Sequence, residues 1–195
     1  MDANPSPLDE YTTADANVLF NDSVLRRMDC TRCSFTAHGI SYSNPGAGLI
    51  ARPLERGDYD KGYLGLLSQL TKVGDYSREK FEYQFDGMKQ MVGCHYIVVV
   101  EDPACNKVIA SASLVVERKF IHGAALRGRI EDIVVDKDYR NLRLGSLLVE
   151  LLTVLSKEVG CYKTTLDCKA DMVGFYKKFG YVSEGQLFMS MRFYD

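Results

Sequence analysis

Leucines at positions 144, 147, 148, 151, 152 and 155 recur three and four residues apart. That spacing lays one apolar stripe along a helix and predicts an amphipathic helix from about Leu144. β-rich runs lie on either side, RIEDIVV (129–135) before it and CYKTTLDC (161–168) after it. Two strands joined by one helical crossover run parallel. Earlier, YIVVV (96–100) and VIASASLVV (108–116) flank the turn EDPACNK and predict an antiparallel hairpin. The sheet is therefore mixed.

The run LIARPL, near Leu49, reads as a first strand. A helix capped by Asp58 follows, with Tyr63, Leu66, Leu67 and Leu70 on its apolar side, and a second covers about Arg78–Met91. Asp171–Phe179 reads as a short helix closed by Gly180, and YVSEGQLFMSMRF as one or two final strands. Residues 1–45, rich in Asp, Asn, Ser, Thr and Pro, read as a partly irregular extension with one short helix at Asp22–Met28. Residues 46–195 form the domain, in the order β-α-α-β-β-β-α-β-α-β.

The seam between Val135 and the leucine-rich helix carries Arg140, Asn141, Arg143 and Gly145. A helix start leaves backbone N–H groups without acceptors, and the aligned peptide dipoles add partial positive charge there. A phosphate or pyrophosphate suits such a place, and a glycine lets it approach the backbone closely. Arg140 and Arg143 would add charge and Ser146 a hydroxyl. Equally, the arginines are solvated and the glycine is an ordinary loop residue. Neither the GxxxxGK[ST] nor the GxGxxG phosphate-loop spacing is present.

Composition narrows the choice. A chain of 195 residues gives one domain a full core and leaves little room for a second. A net charge of −2 gives no broad attraction to nucleic acid or anionic membrane, so any basic site is local. No apolar run approaches the roughly 20 residues that span a bilayer. The acidic, polar N-terminus has no secretory pattern. The six cysteines, without framework spacing, read as reduced thiols of a cytoplasmic protein. Cys30-x-x-Cys33 with His38 lacks a second pair at zinc spacing, so no metal is expected, and His95 and His122 read as ordinary.

The ensemble RIEDIVVDKDYRNLRLGSLLVELL, CYKTTLDC and VGFYKKFGY resembles the GNAT superfamily of N-acetyltransferases. Within it, ERKFIH, IEDIVV, GCYKTTLDC and GFYKKFGY resemble the eukaryotic enzymes that acetylate glucosamine 6-phosphate. The segment from Arg140 to Gly145 fits the superfamily's [Q/R]-x-x-G-x-[G/A] acetyl-CoA signature, except that Arg143 replaces the first glycine. The resemblance covers roughly 46–195. It implies an α/β (α+β) GNAT fold whose central mixed sheet, flanked by helices, splays between strands 130–135 and 164–168. The pantetheine arm of acetyl-CoA would pair with the backbone of Ile133, Val134 and Val135. The pyrophosphate would rest on Arg140, Asn141, Leu142, Arg143, Leu144, Gly145 and Ser146.

The implied reaction is direct attack of the amine of glucosamine 6-phosphate on the thioester, without a covalent enzyme intermediate. It needs a neutral amine, oxyanion stabilisation and a proton for the thiolate. The resemblance gives Tyr176 the place beside the thioester sulfur, as proton donor; read alone, beside Phe175 and Phe179, it is core. It matches Glu131, Asp132 and Asp167 to positions around the amine and hydroxyls, with Glu131 and Asp167 as catalytic candidates and the proton acceptor left open. Alternation sets Glu131, Ile133 and Val135 on one strand face and Asp132 and Val134 on the other. Asp167, in the strand TTLDC, needs a partner or a purpose.

The loop Lys119, Phe120, Ile121 and His122, with Arg192, matches positions around the phosphate. Thr71 matches a substrate contact, and Ile133 borders the sugar. Where many members carry Asn before V-x-F-Y, this chain has Met172, so Asp171 or a backbone group must hold the cofactor arm. Members are homodimers with active sites at the interface. The cofactor half suits equally an acetyltransferase for protein lysine or another small amine. A non-catalytic acyl-CoA sensor keeps the same fold, although Tyr176, Glu131 and Asp167 together argue against it.

Overall fold

The computed structural model describes residues 11–193, which fall into two compact units that divide between Thr165 and Leu166. The first holds a five-stranded sheet in the order β1-β2-β3-β4-β5. The strands are β1 (Ile50–Pro53), β2 (His95–Asp102), β3 (Lys107–Arg118), β4 (Leu126–Val135) and β5 (Cys161–Thr165). The first three pairings are antiparallel and β4–β5 is parallel, so the sheet is mixed, as the connections require.

Both faces of the sheet's centre are covered. Residues 96–101 of β2 and 108–114 of β3 are buried without a break, and successive strand residues point to opposite faces. Helix α5 (Leu144–Glu158) packs on β3, β4 and β5, and α2 (Tyr63–Leu67) packs on β3 and β4. All six leucines of the predicted stripe are buried. Helix α5 approaches β4 closely at Gly128, where an added Cβ would lie 2.2 Å from Ser156 Oγ and 3.1 Å from Leu114 Cδ1. Ser156 is itself buried and bonded to Thr164 Oγ1 at 2.7 Å, so it has little freedom to yield.

The extension contributes to this core. Helix α1 (Ser23–Arg26) lies within the expected Asp22–Met28, and Leu19, Phe20, Val24, Leu25 and Phe35 are buried. Phe20 meets the Tyr96 ring edge-on at 5.1 Å, and Leu19 N–H donates to Leu54 O at 3.0 Å.

Asp58 does not cap the expected helix, whose N-cap is Gly62. Asp58 lies in a 3-10 turn (Arg56–Tyr59), fully buried, with its carboxylate on Arg52 and the Glu55 N–H. Glu101 meets the same guanidinium and Lys61 Nζ, so Arg52 and Lys61 offset two buried carboxylates. Helix α3 (Arg78–Gln90) matches its expected span, with the Ser77 side chain accepting from Lys80 N–H. Residues 121–124 form a helical turn (α4) broken by left-handed backbone at His122 and Gly123.

In the second unit a 3-10 turn (Ala170–Met172) leads into α6 (Val173–Lys177), and Gly180, at φ 85°, turns the chain after it. The expected final strands are not formed: 181–193 contains no strand, and Leu187, Phe188, Met189 and Met191 remain exposed. The strand 161–168 stops at Thr165, which leaves Asp167 and Cys168 beyond it, both exposed. Among the described residues no helix is long and apolar enough to cross a membrane.

Because neither Ser156 nor Leu114 has room to retreat, Gly128→Ala should destabilise the fold by about 1–3 kcal/mol. That corresponds to a drop in Tm of roughly 3–10 °C for a chain this size. Thermal unfolding followed by circular dichroism checks it. Ser156→Ala in the same background should restore part of the loss.

Candidate active site

Strand β4 carries the first part of the site. Glu131 pairs with Ser113 and Val134 with Ser111, so Asp132 and Ile133 together oppose a single residue, a β-bulge. Asp132 absorbs it with a left-handed backbone, φ 53°. Strict alternation therefore fails at Asp132, because the extra residue resets which side chains face which way. β5 pairs only with Leu126–Arg129 of β4. From Ile130 to Val135 that edge of β4 has no strand partner among the described residues. β5 itself ends at Thr165, so this edge of β4 is left open by the end of its neighbour.

The carboxylates of β4 differ. Glu131 is paired with Arg129 on the same strand. Asp132 keeps access to solvent but stands among packed neighbours, and burial, with the charge of Glu131 adding, raises its carboxyl above the usual range. The buried Tyr63 phenol, pushed up to about 12 by burial, feels the Asp132 charge.

The seam after β4 is held from several sides. Asp136 is buried, and its carboxylate accepts from Lys107 Nζ at 2.7 Å, Gln69 Nε2 at 3.2 Å and Asp138 N–H at 3.0 Å. Burial opposes ionisation of Asp136, yet these donors outweigh it and hold the carboxyl below its usual range. Gln69 Oε1 also accepts from Lys137 N–H at 3.0 Å, and Tyr139 Oη donates to Asp102 at 2.6 Å. The β2–β3 turn and the residues after α2 thus fix the 3-10 turn Lys137–Leu142. The sequence reading missed this frame. The only local signal was Asp136-x-Asp138, an N-cap type at a strand end.

Arg143 then takes a left-handed conformation, φ 59°, and supplies no side-chain cap to α5. A non-glycine residue there costs on the order of 1–2 kcal/mol, which explains why the superfamily signature favours glycine at this point. Gly145 does not need positive φ, and a Cβ built on it meets only Val135 Cγ2 at 3.8 Å. Packing does not demand a glycine there, so what the missing Cβ provides is an uncovered backbone. An uncapped helix start, a bare glycine and Arg140 and Arg143 beside it fit a diphosphate. Arg140 reaches back to the Val135 carbonyl at 3.5 Å, and Arg143 meets His38 of the extension. Asn141 and Leu142 are exposed and Ser146 is half-buried.

The remaining segments lie in the β3–β4 connection and just past α2. Lys119 and Arg127 both pair with Glu117, whose carboxyl Lys119, chiefly, holds low despite opposing burial. Phe120 and Ile121 are exposed, and the His122 ring lies 4.6 Å from that of Tyr162. Thr71 is exposed and its N–H donates to Leu67 O at 3.2 Å, just past α2.

The other candidates belong to the second unit. Tyr176 is half-buried, 5.1 Å from the Phe175 ring, and burial, with Cys168 adding, pushes its phenol up. A phenol so shifted stays protonated at neutral pH. Asp167 lies past the end of β5 rather than in an apolar strand, so the desolvation argument made for it does not apply. Arg192 and Met172 are exposed. Cys33 is buried and its thiol is pushed up to about 12 by burial, which makes it an inert core side chain. No cluster able to hold a metal ion occurs among the described residues.

Residues 64–181 match the family model described as the acetyltransferase (GNAT) family. The probable glucosamine 6-phosphate N-acetyltransferase of Drosophila melanogaster is 45% identical over 168 residues, 85% of this chain and 76% of that protein. Glucosamine 6-phosphate N-acetyltransferase 1 of Dictyostelium discoideum is 40% identical over 138 residues, 71% of this chain and 87% of that protein. The crystal structure of the Arabidopsis thaliana glucosamine-6-phosphate N-acetyltransferase matches with a TM-score of 0.71 at 37% identity. The match covers 74% of this chain and 98% of that one.

Removing the charge at the centre of the seam's frame should loosen it. Asp136→Asn is expected to speed amide hydrogen exchange across 137–143 by roughly tenfold while exchange in β2 stays unchanged. Because the folded pKa of Asp136 lies below its unfolded value, its contribution is present at neutral pH. It disappears as the pH falls below about 4 and through the folded value. Wild-type protection of 137–143 should fall in the same acid range, and the variant's should not.

Proposed function

The chain belongs to the acetyltransferase (GNAT) family, and from that premise we propose that it moves acetyl from acetyl-CoA to the amine of glucosamine 6-phosphate. The products are N-acetylglucosamine 6-phosphate and CoA. The family uses acetyl-CoA, which supplies the acetyl group as an activated thioester. The observation that carries the reading is the continuity of one surface. The unpaired edge of β4, bulged at Asp132, leads through the 3-10 turn Lys137–Leu142 to the uncapped start of α5, where a Cβ on Gly145 would lie 3.8 Å from Val135 Cγ2. The substrate reading rests on relatives up to 45% identical that bear that activity in their names.

The residues divide the work. The backbone of Ile133 to Val135, along the edge that no strand covers, holds the coenzyme's amide arm as an added strand, with Arg140 leaving the Val135 carbonyl. The first-turn amides of α5, with Arg140 and Arg143, hold its diphosphate. The amine attacks the thioester carbonyl, the carbon–sulfur bond breaks, and Tyr176 gives its proton to the departing thiolate. Glu131, Asp132 or Asp167 orients the amine and takes its proton, directly or through water. Lys119, His122 and Arg192 meet the sugar phosphate, beside Phe120, Ile121 and Thr71.

The working unit of this reading is a homodimer. The exposed apolar segment 187–193, alternating as a strand does but unpaired among the described residues, supports it. The six cysteines are free thiols, in keeping with a reducing cytoplasm and a place in UDP-N-acetylglucosamine synthesis.

Free CoA, measured with a thiol reagent, should appear with glucosamine 6-phosphate and not with glucosamine or a lysine peptide. Turnover confined to the peptide would assign a protein substrate instead. Tyr176→Phe should lower kcat by about 10²-fold or more with little change in acetyl-CoA affinity. Arg192→Ala should raise KM for the phosphorylated sugar alone. Native mass spectrometry should give a dimer that truncation before Leu187 converts to monomer.

A further inference from the structure

Arg143 stands where the superfamily signature carries glycine, and its guanidinium lies within hydrogen-bond reach of His38 Nε2. His38 falls outside residues 64–181, the stretch matched to the family. It ends the 3-10 turn Ser34–His38, which is moored to α5. Ser34 N–H and Oγ donate to the two Glu150 carboxylate oxygens at 2.7 and 2.8 Å, and Phe35 is buried. A cavity of about 50 Å³ separates this turn from the helix start, lined by Phe35, His38, Pro45, Arg143, Ser146 and Leu147.

A guanidinium only donates, so the ring nitrogen that meets it must accept and the imidazole must be neutral. An acidic residue at 38 would cancel the arginine's charge, and a lysine would repel it. A neutral imidazole holds the side chain in place and leaves both its full charge and its other N–H groups for an anion. We propose that His38 is a positioning residue for the coenzyme's phosphates, acting through Arg143. The extension is then one wall of the cofactor site, and the arginine that replaces a family glycine works because His38 is there to orient it. This inference rests on the acetyl-CoA reading above.

The test is calorimetric titration of CoA and, by competition, of pantetheine, which lacks the phosphates. His38→Ala should weaken CoA about 3- to 10-fold, the range for one exposed charge-assisted hydrogen bond. Pantetheine affinity, Tm and kcat at saturating acetyl-CoA should not change. His38→Gln, which keeps an acceptor, should stay within about twofold of wild type. In an Arg143→Gly background, His38→Ala should have no further effect on CoA. Unchanged CoA affinity in His38→Ala, or an equal loss without Arg143, would overturn the proposal alone. A wild-type protein that binds no CoA would overturn the acetyltransferase reading as well.

Discussion

The buried leucine face of α5 decides where everything else lies. Six leucines of this helix, which packs on β3, β4 and β5, are removed from water, each contributing about 1.5–3 kcal/mol. Gly128 lets the helix approach β4 closely, and Ser156 bonds Thr164 to seal the contact. With the helix fixed by packing, its N-terminus has one available position, just past the end of β4. The unpaired strand edge and the uncapped amides are therefore adjacent without any ligand to gather them. A site preorganised in this way spends no binding energy on assembly.

Local signals explain what the sequence made legible. The α5 stripe, the β2–β3 hairpin and the parallel β4–β5 pairing follow from periodicity and connection rules acting over a few residues. The misses have a different physical origin. The bulge at Asp132 is one extra residue in a run that reads as regular alternation. The frame around Asp136 joins Gln69, 67 residues away, and Lys107, 29 away, so no local pattern could announce it. The segment 186–193 alternates like a strand, but a strand also needs an edge to pair with, and alternation says nothing about that. The extension is polar in composition, yet scattered residues such as Leu25 and Phe35 bury it in part.

Within the site, the resemblance carried the roles that spacing could not. The seam's cations and glycine were readable from the residues, while the duties of Tyr176, Asp167 and Arg192 came only from family matching. Backbone conformation adds an independent signal. Among the described residues, non-glycine positive φ occurs at Ala47, Asn106, His122, Ala124, Asp132 and Arg143. Four of these lie in or beside segments singled out for substrate or cofactor. Such conformations persist only where surrounding structure enforces them, and they gather where a side chain or amide must be aimed against local preference.

Three charged groups of the candidate site already have partners. Lys119 holds Glu117, Arg129 holds Glu131 and Arg143 meets His38. Binding an anion here is therefore an exchange of partners, and only the difference between old and new contacts counts toward affinity. Lys119 shares Glu117 with Arg127, so when Lys119 turns to a phosphate the carboxylate keeps one cation. Arg143 meets a ring nitrogen of His38 and no carboxylate, so it has no paired charge to give up. A dianionic phosphate outcompetes a single shared carboxylate at such a site, whereas an uncharged amine or hydroxyl does not. On the proposed function, coenzyme and sugar both carry such an anion, and unpairing that is favourable only for a strong anion would favour phosphorylated ligands over uncharged ones.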